Sequence, residues 1–247
     1  MPQKNLAVII LAAGKGTRMK SSLAKVLQPL SGKTLLHYVL ETVRELNADR
    51  VSVVVGFQAN KVKSAFPDPK LEFVEQKEQL GTGHAAQQTE SFFKDFEGDI
   101  LVLCGDMPLI RASTLKDLIR RHRQSKASCT LLTLKDKSGK INDFGHILRD
   151  QDNSITRIVE NKDATDEEKK VDEYNSGVYC FDKELFYKAL IALDNSNSQG
   201  EYYLTDTIKY FVQNKCSVQS VQTEDSDEIL GINSPEDLKK AEQLLRY

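Results

Sequence analysis

Residues 6–13 are apolar without a break, and the run stops at Gly14-Lys15-Gly16. Thr17, Arg18, Met19, Lys20 and, a little further on, Lys25 follow. A run this short and this uniformly apolar reads as a strand covered on both faces, and such strands belong to parallel sheets flanked by helices. The turn after it constrains chemistry as well as fold. Glycine has no Cβ, so backbone N–H groups there can come close to an anion. Neighbouring Arg and Lys suit phosphate oxygens. The stretch reads as a cradle for nucleotide phosphates. A plain strand-to-helix turn with solvated lysines is the alternative, because short glycine matches are weak by themselves. Two common phosphate loops do not fit. A P-loop needs Gly-Lys-Ser/Thr after an upstream glycine, whereas Gly16 follows Lys15 here. The dinucleotide fingerprint G-x-G-x-x-G fails at Met19.

The first half of the chain alternates. Residues 34–46 carry Leu35, Leu36, Val39, Leu40, Val43 and Leu46 at helical spacing. Residues 51–55 form a buried strand, 59–66 a short helix ended by Pro67, and 71–75 a further strand. Residues 82–88 form a helix with Thr82 as N-cap, and 100–104 a buried strand with Gly105-Asp106 at its end. Residues 113–124 form a helix that Ser113 can cap, and 127–134 a strand. Strands alternating with helices predict a mostly parallel sheet with right-handed crossovers. Ligands of such sheets bind outside the carboxyl ends of the strands. Gly14 and Asp106 both fall at such ends, so one crevice is expected to hold both. The second half changes character. Residues 145–149, 155–159 and 177–182 are short strands joined by polar loops, which suggests an antiparallel insertion over one side of the sheet. Residues 183–193 and 205–214 are helical and 218–222 a late strand. Residues 235–246 close the chain as a helix, with Ser234 as N-cap and Pro235 at its first position.

Composition excludes more than it assigns. The 247 residues carry a net charge of −2, which gives no argument for nucleic acid or an anionic membrane. No run approaches the roughly 18 apolar residues that span a bilayer. Cys104, Cys129, Cys180 and Cys216 lie far apart with no C-x-x-C, so a zinc site is not expected. Most sit in strand-like runs and read as buried, reduced thiols, which makes the cytoplasm the default compartment.

Leu11-Ala12-Ala13-Gly14-Lys15-Gly16-Thr17-Arg18-Met19, followed by Lys25, resembles the signature of sugar-nucleotide pyrophosphorylases. The match is nearer to the uridylyltransferase domain of bacterial N-acetylglucosamine-1-phosphate uridylyltransferases. It rests on further stretches in the same order: Gln79-Leu80-Gly81-Thr82-Gly83-His84-Ala85, Gly105-Asp106-x-Pro108-Leu109, Val159-Glu160-Asn161-Lys162-Asp163-Ala164-Thr165, Glu173-Tyr174-Asn175-Ser176-Gly177, Gln199-Gly200-Glu201-Tyr202-Tyr203-Leu204-Thr205-Asp206 and Gly231-Ile232-Asn233. Together they cover nearly the whole chain. The resemblance implies an α/β fold: a Rossmann-like, mostly parallel sheet flanked by helices with a small antiparallel sugar-binding insertion, the nucleotide-diphospho-sugar transferase fold. It implies one nucleotidyltransferase domain over residues 1–247, with a nucleotide-binding half to about 135, a sugar-binding half over 136–230 and a closing helix over 231–247.

The reaction so implied transfers UMP from UTP to N-acetylglucosamine 1-phosphate, giving UDP-N-acetylglucosamine and pyrophosphate. Two polyanions must be aligned, so charge neutralisation and positioning carry the catalysis, and no protein nucleophile is needed. By resemblance Asp106 and Asn233 hold Mg²⁺, while Arg18 and Lys25 contact the phosphates. Leu11, Ala12, Ala13 and Gly14 line the nucleotide through backbone groups, and Gln76, Gly81 and Thr82 match the uracil-reading positions. Gly145, Glu160, Asn175, Tyr203 and Thr205 match the sugar-contacting positions. Each has a plainer reading: Asp106 as a turn former before Pro108, Asn233 as part of a helix cap, Gln76 as a loop residue, Tyr203 as a core aromatic, and the cations as solvated charges. His37 and His84 read as structural. The partners expected are the two small-molecule substrates, without nucleic acid or membrane, for a monomer or weak homo-oligomer.

Three positions depart from the family pattern. Cys104 stands where an aromatic is usual, Ala24 where Pro is usual, and His146 where Arg is usual. None removes a proposed ligand; they bear on rate and sugar choice. The sequence also lacks the hexapeptide repeats of a left-handed β-helix, so the acetyltransferase activity of the bifunctional bacterial enzyme is not expected. Transfer to another sugar 1-phosphate such as glucose 1-phosphate, or binding of a nucleotide sugar without turnover, are the competing readings.

Overall fold

The structure, a computed structural model, describes residues 4–136 and 144–245. The opening apolar run forms β1 (Leu6–Ala12). Its side chains serve two cores: Val8 and Ile10 point to one face of the sheet, Ala7 and Ile9 to the other. That is why the run shows no polar alternation. Next come a two-residue hairpin, β2 (Pro29–Leu30) and β3 (Lys33–Thr34), and then α1 (Leu35–Arg44). The hairpin turns through Ser31 and Gly32, both at positive φ (46° and 88°), the geometry that a tight hairpin demands. Strands this short leave no periodic signal.

The chain then builds β4 (Arg50–Val55), α2 (Ala59–Ala65), β5 (Leu71–Glu75), α3 (Thr82–Gln87), β6 (Asp99–Cys104), α4 (Ala112–Ser125) and β7 (Cys129–Lys135). The second half adds β8 (His146–Arg149), β9 (Ile155–Val159), β10 (Glu173–Asp182), α5 (Lys183–Ile191), α6 (Asp206–Gln213), β11 (Val218–Thr223) and α7 (Pro235–Leu244). The main sheet runs β11-β7-β10-β6-β1-β4-β5. Strands β6, β1, β4 and β5 are parallel neighbours, as are β7 and β11, while β10 runs antiparallel between β6 and β7. Strands β8 and β9 form an antiparallel pair attached to β10.

Several local expectations need correction. Residues 177–182 are not part of an added layer; they belong to β10, in the middle of the main sheet, because their apolar faces complete both cores. Thr82 does not cap α3: Gly81 (φ 109°) precedes the helix, and Thr82 Oγ1 instead accepts the Leu204 N–H at 3.0 Å. Ser113 does not cap α4, because the helix begins one residue earlier, after Arg111. The cap at α7 is as expected, with Ser234 and Asp237 bonding each other's backbone N–H groups and Pro235 at the first position. Arg246, the expected end of that helix, lies outside the described residues. No described helix is long and apolar enough to cross a membrane.

At the amino end of β6 a buried carboxylate anchors the edge away from the crevice. Asp99 meets Lys4 Nζ at 2.7 Å, Arg123 Nε at 2.9 Å and His122 Nε2 at 3.5 Å. Burial disfavours its charge, but the bonds from His122, Lys4 and Arg123 win and hold the carboxyl at about 2. A depressed folded value contributes stability that is present above the unfolded value, about 4, and is lost as pH falls towards 2. The urea midpoint should therefore drop across that window. Asp99→Asn should flatten the drop; a variant with the wild-type slope would exclude Asp99 as its source.

Candidate active site

Parallel strands put their carboxyl ends on one edge, and hydrogen bonds past the strand ends extend that edge into a crevice. Gly105 N–H donates to Leu11 O at 2.9 Å, Phe57 N–H to Ala13 O at 3.1 Å, and Gln76 N–H to Val55 O at 2.8 Å. These bonds bring the ends of β1, β4, β5 and β6 together. Leu11, Ala12, Ala13, Gly14, Lys25, Gln76, Gly81, Thr82 and Asp106 all line one cavity of about 260 Å³. Gly14 and Asp106 thus share a crevice.

The glycine turn earns its shape at one position. Gly16 sits at φ +67°, and a Cβ there would lie 2.7 Å from Lys25 Cβ, so its absence lets the lysine stem pass close by. At Gly14 an added Cβ would meet nothing within 4 Å. Arg18 is exposed on the short turn Thr17–Met19, outside the cavity lining.

Lys25 is the hub of the crevice. Its ammonium forms an ion pair with Asp106 Oδ2 and donates to Asn233 Oδ1 at 2.7 Å. Asn233 arrives from the far end of the chain. Ile232 N–H bonds Asp106 O at 2.9 Å, and Asp237 of the α7 cap accepts the Asn233 N–H at 2.9 Å. A carboxylate oxygen and an amide oxygen therefore converge on one positive charge.

Gln76 is buried, not a free loop residue. Its Nε2 donates to Gly81 O at 3.0 Å and lies 3.0 Å from His84 Nδ1. Cys104, at the floor, has its thiol pushed up to about 12 by burial and then by the Asp106 charge, so it stays protonated. It offers no nucleophile at neutral pH.

The sugar-matching residues cluster beside this crevice, not within it. Thr205 Oγ1 donates to Glu160 Oε1 at 2.9 Å, and a Cβ at Gly145 would lie 3.6 Å from Glu160 Oε2. Asn175 N–H donates to Gly145 O at 2.8 Å, and Tyr203 Oη accepts from Gln199 Nε2 at 2.8 Å. Burial raises the Glu160 carboxyl above its ordinary range, and the charges of Asp206, Asp163 and Glu201 add to this. Glu160, Tyr203 and Thr205 line a second cavity of about 390 Å³. The 201–205 segment supplies Glu201 to the first cavity and Tyr203 and Thr205 to the second, so it forms the wall between them. Gly145 and Asn175 line neither.

Gln79 and Glu201 also line the first cavity, though sequence reasoning gave them no role. Both lie inside stretches already singled out, so position in a motif was the available signal. Among the described residues, no group of three or more His, Cys, Asp or Glu is placed to hold a metal.

Residues 8–196 match the model of the MobA-like NTP transferase domain. The chain belongs to the MobA-like NTP transferase family. The match to this NTP transferase domain takes in the glycine turn, Asp106, Glu160 and Asn175, whereas Tyr203, Thr205 and Asn233 join by tertiary contact from outside it. The chain is 44% identical over 243 residues to "Bifunctional protein GlmU" of Acetivibrio thermocellus, covering 98% of this chain and 52% of that one. It is 42% identical over 241 residues to the protein of the same name from Desulfotalea psychrophila, covering 98% and 70%. The chain spans about half the length of most of the curated relatives it matches. A solved structure of UDP-glucose pyrophosphorylase complexed with UDP-glucose superposes with a TM-score of 0.81 at 17% identity, covering 99% of each chain. At that identity the likeness speaks for the shared fold, that of nucleotide-diphospho-sugar transferases.

Proposed function

We propose that this NTP transferase joins UMP from UTP to N-acetylglucosamine 1-phosphate, releasing pyrophosphate. The observation that carries the reading is the meeting of Asp106, Asn233 and Lys25 at the mouth of the glycine-bent crevice. The seven sequence stretches and the GlmU relatives support it.

The donor set fits a divalent ion. Asp106 and Asn233 offer hard oxygens already turned towards a single cation, and Mg²⁺ needs few protein ligands, taking water and phosphate oxygens for the rest. Mg²⁺ held by Asp106 and Asn233 would neutralise phosphate charge around the reacting phosphorus. Lys25, with Arg18 from the exposed turn, supplies donors to the triphosphate. The backbone of residues 11–14 lines the nucleoside, and Gln76, Gly81 and Thr82 face the base. On the sugar side Glu160, Asn175, Tyr203, Thr205 and Gly145 hold hydroxyls and the N-acetyl group. An oxygen of the sugar phosphate attacks the α-phosphorus in line; the new P–O bond forms as the bond to pyrophosphate breaks, and no proton need move. The four free cysteines support a reducing compartment, the cytoplasm, as the place of work.

Pyrophosphate release measured over a grid of nucleoside triphosphates and sugar 1-phosphates tests the reading. UTP with N-acetylglucosamine 1-phosphate should give the highest kcat/KM. Release only with another pair would replace the substrates, and no release with any pair would leave a binding protein.

His146 bears on the sugar side. Its buried ring sets Nδ1 3.2 Å from Val171 O and Nε2 3.2 Å from Asn161 Oδ1, tying the segment that carries Glu160 to β8. His146→Ala removes both contacts, each worth about 0.5–1.5 kcal/mol, so KM for the sugar phosphate should rise about tenfold or more. KM for UTP should move far less; equal changes in both would refute a sugar-side role.

A further inference from the structure

We infer that His84 is a positioning residue that, together with Gly81 O, fixes which edge Gln76 shows to the nucleotide base, and through it the choice between uracil and cytosine. This rests on the proposed reading of the crevice as a nucleotide site.

The hydrogen-bond inventory of Gln76 leaves one orientation. Gly81 O can only accept, so the side-chain atom 3.0 Å from it must be the Nε2 amide nitrogen. The second hydrogen of that nitrogen points to His84 Nδ1, also at 3.0 Å. For that bond Nδ1 must be the bare, accepting nitrogen of the ring, with the proton on Nε2. Both donors of the amide are thereby used inside the protein. Its Oε1 has no protein partner among the described residues, and Gln76 lines the crevice beside Ala13, Gly14 and Thr82.

An isolated glutamine is a poor discriminator, because its amide turns over to suit a donor or an acceptor. This one is locked. It offers the base an acceptor only. Uracil presents an N–H at N3 and satisfies it. Cytosine presents a bare N3 and leaves two lone pairs facing each other in a buried site. A site built to receive a donor rejects the analogue that lacks it, because its polar group is left unpaired. A half-turn of the amide would bring Oε1 against the Gly81 oxygen, so Gly81 already opposes it; His84, by accepting the second hydrogen of Nε2, adds a second bond that the turn would break. Aromatic contact with Tyr202, 6.3 Å between ring centroids, keeps the imidazole on the wall segment.

The test compares UTP and CTP binding by calorimetry, which needs neither the sugar phosphate nor turnover, so it stands apart from the assay of the whole reaction. The wild-type chain should prefer UTP. His84→Ala should cut the UTP-to-CTP affinity ratio about tenfold or more, mostly by admitting CTP. His84→Asn, whose Oδ1 takes the place of Nδ1 as an acceptor, should restore the ratio, while His84→Gln, which puts its oxygen further out, should not. Thermal melts of each variant exclude loss of fold. A His84→Ala protein with the wild-type ratio, or a wild-type protein indifferent to the base, would overturn the inference.

Discussion

Asp106→Asn should lower turnover by about 10²–10³-fold, the range seen when one preorganised charged or donor group is removed from a reacting centre. Asp106 is the only carboxylate among the described residues that faces Lys25 in the crevice, and its backbone carbonyl, not its side chain, holds Ile232 in place. The substitution therefore keeps the loop geometry and removes the charge. It also leaves the ammonium, whose side chain is 16% exposed, facing two neutral amides. A small fall in thermal stability should accompany the loss of rate. The measurement is pyrophosphate release at saturating substrates, with the melt recorded in parallel. Turnover within a few-fold of wild type would remove Asp106 from the chemistry.

Gly81→Ala should be the most damaging small change in the wall between the cavities. Gly81 sits at φ +109°, which an alanine rarely adopts, and the new Cβ would lie 2.5 Å from Tyr202 O and 2.8 Å from Tyr202 N. Those are backbone atoms with their own tasks: Tyr202 N–H donates to Leu80 O, and Tyr202 O accepts from Gly83 N–H, each at 2.8 Å. Relief requires the 201–205 segment to move off α3. Strain of this kind with the lost bonds costs about 3 kcal/mol, which for a chain of this size lowers Tm by about 6–12 °C. Glu201, Tyr203 and Thr205 would shift with the segment. A displacement near 1 Å costs about a hundredfold in rate. A variant melting within about 2 °C of wild type would mean the wall tolerates the extra carbon.

How much of this was legible beforehand depends on which force placed each residue. The convergence of Gly14 and Asp106 followed from periodicity alone, since parallel strands must end on the same edge. The place of β10 did not. Its apolar residues announce a strand, yet nothing local says that it inserts antiparallel between β6 and β7. The caps expected at Thr82 and Ser113 failed for a related reason. Side-chain propensity offered a candidate, but Leu204 claimed the threonine oxygen and the helix start moved past the serine. The two glycines of the turn look equivalent in sequence, and only the approach of the Lys25 stem separates them. By resemblance Gln76 was a candidate for reading the base, whereas the saturation of its donors by Gly81 and His84 is a tertiary fact.

The bond between Lys25 and Asn233 joins positions 208 residues apart. Closing so long a loop costs little more than closing a moderate one, because the entropic penalty rises only with the logarithm of length. Its kinetic meaning is larger: contacts of such separation form late. The glycine turn can be made by the first strand, but the amide partner of Lys25 arrives only when α7 has docked. A chain still being synthesised, or clipped before residue 233, would have the cradle without its clasp, so completion of this site reports that the first strand and α7 have come together.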